Sequence, residues 1–324
     1  MTTRAVPSAE LTDDEWSGFI EATPSRWFTH DRHWCERVDA HEVEDDGFAL
    51  VTDGAIRALV PVTAMGNVVV SGRNEPSGPL LAADVDAAER EHLWASIDAE
   101  LTTIATRRGA SAIGLKFPVL TASGHRGPDD PDVGVLTGCG YRLDRRLFYC
   151  IDLDHPLSTL WAGVSSRTRS QLRAADRACE LAPVGVAELP AYLDVYRRHS
   201  EAKDSPVPVT LDDMRHLLGD ESGVSTLALL GREDGEATGF ALSLGVGASA
   251  TVFAWGRAPD PKPSQLSKLL VWRSLELLRE KGIRWVEYGG AILGETPYAG
   301  LTEFYRRLGG DTLPSAWLYR RVNE

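Results

Sequence analysis

The hydrophobic positions along the chain follow two periods, and the order in which those periods appear is similar in the two halves of the sequence. Alternating apolar and polar residues predict a strand, whereas an apolar residue at every third or fourth position predicts an amphipathic helix. In the first half these patterns predict strands at 48–54, 55–65, 111–117 and 147–153, a helix at 86–108 and a Gly/Pro/Asp-rich loop at 124–134. The pair Asp53-Gly54 predicts a hairpin turn between the first two strands.

The second half has the same mixture of elements. Its patterns predict helices that begin after Ser165-Ser166 and lie near 187–199, 210–218, 263–281 and 299–308, with strands at 225–232, 238–246, 249–255, 283–290 and 316–322. Glycines follow the last two helices, where glycine commonly ends a helix. Mixed elements in two halves of like order predict an α+β fold of two modules packed side by side, residues 1–155 and 156–324.

The composition is that of a globular protein, since 43% of the 324 residues are hydrophobic and 25% are charged. No apolar run reaches the roughly 18 residues of a membrane-spanning helix, and the N-terminus has no signal-peptide core. The four cysteines are scattered without CxxC spacing, which favours a reduced protein. We therefore expect a cytoplasmic protein that does not bind membranes.

The net charge of −13 is concentrated in the first half of the chain. Residues 1–155 hold 14 Lys and Arg against 26 Asp and Glu, whereas residues 156–324 hold 20 against 21. A diffuse basic surface for DNA or for anionic membranes is therefore excluded. Any contact with a polyanion has to be local, and we expect it in the second half.

A row of arginines lies on the predicted helix that follows Ser165-Ser166. The row consists of Arg169, Arg173 and Arg177. Because these positions are four residues apart, their side chains share one helix face. Guanidinium groups bind phosphates bidentately, so the row is a candidate phosphate site, with Lys268 as its extension. The alternative is a solvated face paired with acidic neighbours such as Asp176.

The string VEYGG places two functional side chains at the end of a predicted strand. Glu287 is a candidate to bind or deprotonate an amine, although a surface carboxylate is the commoner reason for such a residue. Strict alternation predicts that Glu287 and Tyr288 face opposite sides of the sheet. The candidate residues for binding an acceptor are Tyr288, Glu295 and Tyr298.

No metal ion or other cofactor is expected. The string HDRHWC offers His30, His33 and Cys35, but their spacing matches no standard metal site. The sequence also has no GxSxG string and no Walker-type loop.

The string FYRRLGG, residues 304–310, resembles the last helix of the GNAT superfamily of N-acyltransferases. There a tyrosine sits beside the leaving group and protonates it, and Tyr305 matches that position. The alternative for the string is a buried aromatic pair followed by Gly309 as a helix cap.

The order of motifs around that string resembles the Fem-type branch of the superfamily. These motifs are SSRTRSQLRAADRACEL, the helix with SQLSKLLVW, VEYGGA and GLTEFYRRLGG. Fem-type members are double-GNAT transferases that take amino acids from aminoacyl-tRNA, together with looser relatives. The resemblance covers about 155–324 well, and in the first half it is carried by coarse order and by ATPSRWFTHDRHW.

The sequence lacks one motif of many Fem-type members and one motif of the GNAT enzymes that use acyl-CoA. Many Fem-type members have Phe-Lys where this chain has Phe304-Tyr305, and that lysine can stabilise an oxyanion. Acyl-CoA users in turn have R-x-x-G-x-G/A between strand and helix, whereas residues 257–263 read RAPDPKP. Three prolines remove three backbone donors, so this loop is not expected to hold a CoA pyrophosphate in the usual manner.

Three functions are consistent with these observations. The resemblance implies an N-acyltransferase that forms an amide on a soluble small-molecule or peptide amine, with aminoacyl-tRNA as donor. In that reading Tyr305 donates a proton, Glu287 holds or deprotonates the amine, and the arginines with Lys268 bind donor phosphates. An acyl-CoA-dependent N-acyltransferase is the alternative within enzymes. A double-GNAT scaffold that binds a partner without catalysis is the third.

Overall fold

The structure is a computed structural model that describes residues 3–36, 46–72, 77–205, 209–219, 223–259, 264–291 and 299–322. The chain forms two compact units. The first consists of Met1–Arg146 together with Leu313–Glu324, and the second is Leu147–Thr312. The division therefore falls at residue 146 instead of the expected 155, and the end of the chain joins the first unit. In the described parts, no helix is both long enough and apolar enough to cross a bilayer.

The first unit begins with short strands and helices and then alternates strands with one long helix. The elements are β1 Thr3–Pro7, α1 Asp13–Ala22, α2 Arg32–Glu36, β2 Phe48–Thr52, β3 Ala55–Val60, β4 Val62–Met65, β5 Val68–Ser71, β6 Leu80–Leu81, α3 Ala87–Arg108, β7 Ala112–Lys116, β8 Leu120–Thr121, β9 Gly124–His125, α4 Pro131–Gly138 and β10 Arg142–Asp152. Single 3₁₀ turns cover Ser8–Glu10 and Phe28–His30.

The predicted hairpin and long helix of the first unit are confirmed. Asp53 and Gly54 both have positive φ, as a two-residue turn between β2 and β3 requires. The Asp86 side chain accepts a hydrogen bond from the backbone of Glu89 and caps α3. One face of α3, with Trp94 at its centre, packs into the main core of this unit.

Two elements of the first unit differ from the sequence-based expectation. The loop predicted at 124–134 already contains the start of α4, because Asp130 caps that helix and Pro131 occupies its first position. Helix α1 was not predicted, although Thr12 and Glu15 form a capping box at its start. His30, named above as a possible metal ligand, is buried and bonded to the backbone at Trp27 and Gly78.

The second unit contains a meander of three long strands, with helices before and after it in the sequence. Its elements are α5 Leu157–Gly163, α6 Ser166–Ala178, β11 Cys179–Pro183, α7 Leu189–Glu201, α8 Leu211–Leu218, β12 Ser225–Glu233, β13 Glu236–Val246, β14 Ser249–Arg257, α9 Leu266–Glu280, β15 Trp285–Ala291, α10 Ala299–Leu308 and β16 Asp311–Arg321. A 3₁₀ turn covers Val186–Glu188.

The sheet of the second unit has the order β11-β12-β13-β14-β15-β10. All neighbouring pairs are antiparallel except β14 and β15, which run parallel. Helix α9 supplies the crossover between those two strands and packs on the sheet with Leu266 over Gly239, where a β-carbon would lie 2.6 Å from the leucine. The predicted last strand is also confirmed: Trp317–Arg321 of β16, which belong to the first unit, pair with β7 of that same unit.

Candidate active site

The parallel strands β14 and β15 pair only where they begin. Among the described residues, their register pairs run from Ser249 and Trp285 to Thr251 and Glu287. Beyond that point β14 continues to Arg257 against β13, and β15 continues to Ala291 against β10. The carboxyl ends of the two strands therefore separate and border a gap. In open sheets, ligands bind at the carboxyl ends of strands, so this gap is the candidate active site.

A bulge in β15 shapes one wall of the gap. Tyr149 is paired with Gly289 and Cys150 with Glu287, so Tyr288 is an extra residue with no opposite partner in β10. The strict alternation expected from the sequence is interrupted here. Tyr288 is buried in the core, whereas Glu287 stays half-buried at the point where the parallel pairing ends.

Helix α10 brings Tyr305 to the other side of the bulge. The Tyr305 ring lies against the backbone of Gly289, where any β-carbon would overlap it. Its centroid is 5.6 Å from that of Tyr288, 5.9 Å from Tyr149 and 6.3 Å from Trp255. Tyr305 thus touches residues of both separating strands. The preceding residue, Phe304, stacks on Trp255. The string Phe304-Tyr305 therefore forms the buried aromatic packing named above as an alternative, and the same packing places Tyr305 beside the gap.

Burial and charge keep Tyr305 protonated. Burial raises the pKa of the phenol, the negative charge of Glu287 raises it further, and a hydrogen bond from the indole of Trp255 acts in the opposite direction. Burial also raises the pKa of the Cys150 thiol, again with a contribution from Glu287. Glu287 therefore lies within electrostatic reach of Tyr305. Tyr305 and Glu287 are therefore candidates for a general acid and a general base.

The predicted acceptor-binding residues have different positions. The Tyr288 ring is 1% exposed, and its hydroxyl has no hydrogen-bond partner in the part of the chain that the structure describes. Burial raises the pKa of this phenol as well. Tyr288 is therefore a wall of the site and not an open contact for a substrate. Glu295 and Tyr298 lie outside the described residues, as does most of the proline-rich loop.

Lys268 stands in a cluster of positive charges where α9 begins. Its ammonium donates hydrogen bonds to the side-chain oxygens of Gln171, at 2.8 Å, and Gln265, at 2.7 Å. Burial lowers the pKa of Lys268, and the charges of Arg307 and Arg167 lower it further. Both arginines are therefore close enough to Lys268 to act on its charge, and a bound anion relieves repulsion of this kind.

The sequence analysis missed Arg167 and Arg307 because their partners are distant in the chain. Arg167 is in the first turn of α6, and Arg307 follows Tyr305 by two positions on α10. Arg307 is paired with Glu303 at 2.6 Å, which offsets its charge in part. The term "cation cluster" below refers to Arg167, Lys268 and Arg307.

The three arginines of the row on α6 have different contacts. Arg169 donates hydrogen bonds to the carbonyls of Trp161, Ala162 and Val164, and so satisfies the end of α5. Its guanidinium is engaged by the protein itself, which is a structural role that the sequence analysis did not predict. Arg173 lies over the ring of Trp161 at 5.6 Å, and Arg177 is exposed one turn later. Phosphate binding stays a prediction for all three arginines.

The chain was compared with known proteins in three ways. Neither the protein-family models nor the curated protein sequences gave a match. Among solved structures it is similar to FemX, with a TM-score of 0.68 and 12% identity over 98% of this chain and 97% of FemX. It is also similar to the C-terminal DUF2156 domain of a putative lysylphosphatidylglycerol synthetase from Agrobacterium fabrum, with a TM-score of 0.63 and 15% identity over 96% and 91% of the two chains.

A third similar structure is a tandem GNAT protein from the clavulanic acid biosynthesis pathway. Its TM-score is 0.58, with 13% identity over 100% of this chain and 99% of that one. At such identities the similarity establishes architecture, because a fold hosts many activities. The similarity spans nearly the whole chain in each case. The predicted α+β class with mixed sheets and flanking helices is confirmed, and the chain shares the fold of FemX and of the tandem GNAT protein.

Proposed function

We propose that the protein is an N-acyltransferase that joins an activated acyl group to an amine. The observation that carries this proposal is the position of the buried Tyr305 ring against Gly289, two residues after Glu287, where the parallel pairing of β14 and β15 ends. A site that only binds a partner has no need for a proton donor and an acceptor side by side. The pair therefore favours an enzyme over a binding scaffold.

The two residues have complementary tasks in the transfer. The amine nitrogen attacks the carbonyl carbon of the donor, and Glu287 accepts the proton that the nitrogen loses. When the tetrahedral intermediate collapses, the bond from carbon to the leaving oxygen breaks, and Tyr305 gives its proton to that oxygen. Glu287 then returns its proton to the phenolate, directly or through water. Each such proton transfer contributes roughly 10²–10⁴ in rate.

The proposed donor is aminoacyl-tRNA, as the Fem-type resemblance implies. Its ester is already activated, so positioning and proton transfer suffice for the reaction. The cation cluster supports a polyanionic donor, because it places Lys268 near the charges of two arginines in a chain whose net charge is −13. The sequence RAPDPKP at 257–263 supports the same choice, since it has no glycine cradle for a CoA pyrophosphate.

The acceptor is a soluble small-molecule or peptide amine. Glu287 is half-buried, so a neutral amine can reach it and transfer to it the proton that the nitrogen loses in the attack. The second candidate function is acyl transfer from acyl-CoA to the same kind of amine. Tyr305 favours that candidate, because the same residue stands at the corresponding position in GNAT enzymes that use acyl-CoA.

A transfer assay with both donors tests the proposal. Purified protein is supplied with a mixture of charged tRNAs or with acetyl-CoA, and label is followed into a panel of soluble amines. Label moving from tRNA supports the proposed donor, whereas label moving only from acetyl-CoA selects the second candidate. Transfer from neither donor contradicts the proposed function.

Variants of the cation cluster sharpen that assay. Lys268→Gln and Arg307→Gln are expected to raise the KM for charged tRNA about tenfold and to leave kcat unchanged, because a lost phosphate contact weakens binding more than chemistry. Arg197→Gln is the matched control, since Arg197 is an exposed arginine of α7 paired with Asp194 and Glu201. An equal change in all three variants points to net charge and not to the cluster.

A further inference from the structure

A second concave site lies on the helices of the second unit. It is a groove of about 440 Å³ between α5, α6 and α9, and we refer to it as the helical groove. The residues that carry the argument below are Leu157, Trp161, Arg173, Asp176, Trp272 and Glu276. Its volume is within the range of about 300–1,000 Å³ that ligand pockets occupy. Neither Tyr305 nor Glu287 lines it.

The floor of the groove is aromatic and rigidly held. The rings of Trp161 and Trp272 meet edge to face at 5.0 Å. Trp272 is 4% exposed, and its indole N–H donates a hydrogen bond to Glu276 at 2.7 Å. Trp161 is half-buried, and Leu157 at the rim is 41% exposed. The groove thus offers one fixed aromatic ring with an apolar rim to a planar group.

The arginines on the two long walls of the groove differ in whether they have an acidic partner. Arg273 on α9 is paired with Glu276 at 2.7 Å and lies 3.8 Å from Asp176, so its charge is offset. Arg173 on α6 has a ring contact with Trp161, and none of the ion pairs among the described residues includes it. The wall formed by α6 therefore places the charge of Arg173 beside the aromatic floor, while its acidic residue, Asp176, lies towards Arg273 on the opposite wall.

The groove also continues from the cation cluster. Lys268 is bonded to Gln171, and the next residue along each helix, Leu269 on α9 and Leu172 on α6, lines the groove. At its far end Arg177 is exposed one helical turn after Arg173. A rise of 1.5 Å per residue separates these two arginines by about 6 Å, a step that successive phosphates of a flexible strand can match.

We propose that the helical groove binds an unpaired nucleotide of an RNA strand, with the base against Trp161 and its phosphate on Arg173. This inference rests on the proposed function, in which the donor is an RNA. Single-stranded nucleic acid is bound by this combination of an aromatic platform and a positively charged track, with each stacked base contributing about 1–3 kcal/mol.

The test is the affinity of the full-length protein for a labelled single-stranded RNA hexamer, measured by anisotropy over a range of salt. Trp161→Leu is expected to weaken binding about 5- to 100-fold, from the loss of one stacked base. Arg173→Gln is expected to lower the slope of log K against log salt by about 0.7, the value for one phosphate on a single strand. Arg197→Gln, which changes the net charge equally, should change neither quantity.

Separate readouts distinguish the failure of this inference from the failure of the proposed function. If charged tRNA serves as donor while Trp161→Leu and Arg173→Gln bind the hexamer as tightly as the unaltered protein, the groove is not the RNA site although the function stands. If the protein transfers only from acetyl-CoA but the two variants lose the hexamer, the groove inference survives without the proposed donor. Arg173 is exposed, so Arg173→Gln keeps the test valid even if Trp161→Leu fails to fold.

Two further results overturn the inference. One is that Arg173→Gln loses affinity for coenzyme A but keeps its affinity for the RNA hexamer, which would assign the groove to coenzyme A. The other is a dimer in sedimentation that Trp161→Leu converts to a monomer, which assigns it to a second copy of the chain.

Discussion

The ring of Tyr305 rests on the backbone of Gly289, and the contact is so close that no side chain fits between them. Gly289 also has a φ of +146°, a conformation that residues with a β-carbon rarely adopt. The bulge at Tyr288 and the glycine after it therefore act together. They let α10 approach β15 so closely that the Tyr305 ring lies directly on the strand, two residues after Glu287.

Substitution of Gly289 should cost both stability and activity. We expect Gly289→Ala to lower the free energy of unfolding by about 1–3 kcal/mol from backbone strain, with an added cost for moving Tyr305. Urea unfolding measures the first effect and the transfer assay the second. Gly18→Ala is the control, because Gly18 is exposed in α1 with open space around it. That variant should gain roughly 0.5–1 kcal/mol, and an equal loss in both would contradict the proposed contact.

Removal of one hydroxyl should separate catalysis from structure. Tyr305→Phe keeps the ring in its aromatic surroundings but removes the proton donor, so we expect kcat to fall about 10²-fold or more while KM changes little. Steady-state kinetics with saturating amine measure this. The control is Tyr192→Phe, which removes the hydroxyl of another fully buried tyrosine of the same unit. Unchanged kcat in Tyr305→Phe would remove Tyr305 from the mechanism.

Much of the fold could be predicted from local signals, whereas the site could be predicted only in part. The turn at Asp53-Gly54 and the cap at Ser165 depend on neighbours in the sequence, and both are where the pattern placed them. The bulge at Tyr288 depends on the register with β10, whose residues lie more than a hundred positions earlier. Alternation within β15 alone therefore could not reveal it.

The arginine row illustrates the same limit. The spacing of Arg169, Arg173 and Arg177 correctly predicts that they share one helix face. It does not predict which groups each side chain contacts. Arg169 meets the carbonyl end of α5, Arg173 meets Trp161, and Arg177 meets solvent. Three residues of one type in one row thus have three environments. Only the packing of α5 against α6 distinguishes them.

A buried ion network in the first unit should be costly to break. Asp132, which is 6% exposed, accepts hydrogen bonds from Arg90 at 2.6 Å, Arg126 at 2.5 Å and the Trp94 indole at 2.8 Å. Asp132→Ala leaves the buried Arg126 with Asp130 alone. We expect a loss of about 3 kcal/mol in the free energy of unfolding, since breaking a buried pair costs about 3–5 kcal/mol.

The control for that network is a surface pair of the same unit. Asp144 and Arg146 lie 2.7 Å apart and are both exposed. Asp144→Ala should change the free energy of unfolding by no more than about 1 kcal/mol. Chemical unfolding followed by circular dichroism compares the two variants, and similar losses would show that burial does not determine the strength of the Asp132 network.

Acid should destabilise the first unit through His30. Burial lowers the pKa of this imidazole to about 4, against hydrogen bonds that act to raise it, and the charge of Arg126 lowers it further. The neutral ring accepts a hydrogen bond from the Trp27 amide at 2.9 Å and faces the Gly78 carbonyl at 3.0 Å. The unfolded chain, with a pKa near 6.5, therefore binds a proton that the folded chain excludes.

The direction of the pH effect follows from that difference. The contribution of His30 to stability is fully present above pH 6.5 and is lost as the pH falls from about 6.5 towards 4, by at most about 1.4 kcal/mol per pH unit. Urea midpoints measured between pH 7 and 5 should thus decrease more steeply in the unaltered protein than in His30→Gln. Carboxylates titrate in both proteins, so the difference between the two slopes isolates the imidazole. Equal slopes in the two proteins would mean that His30 binds its proton as readily in the folded chain as in the unfolded one.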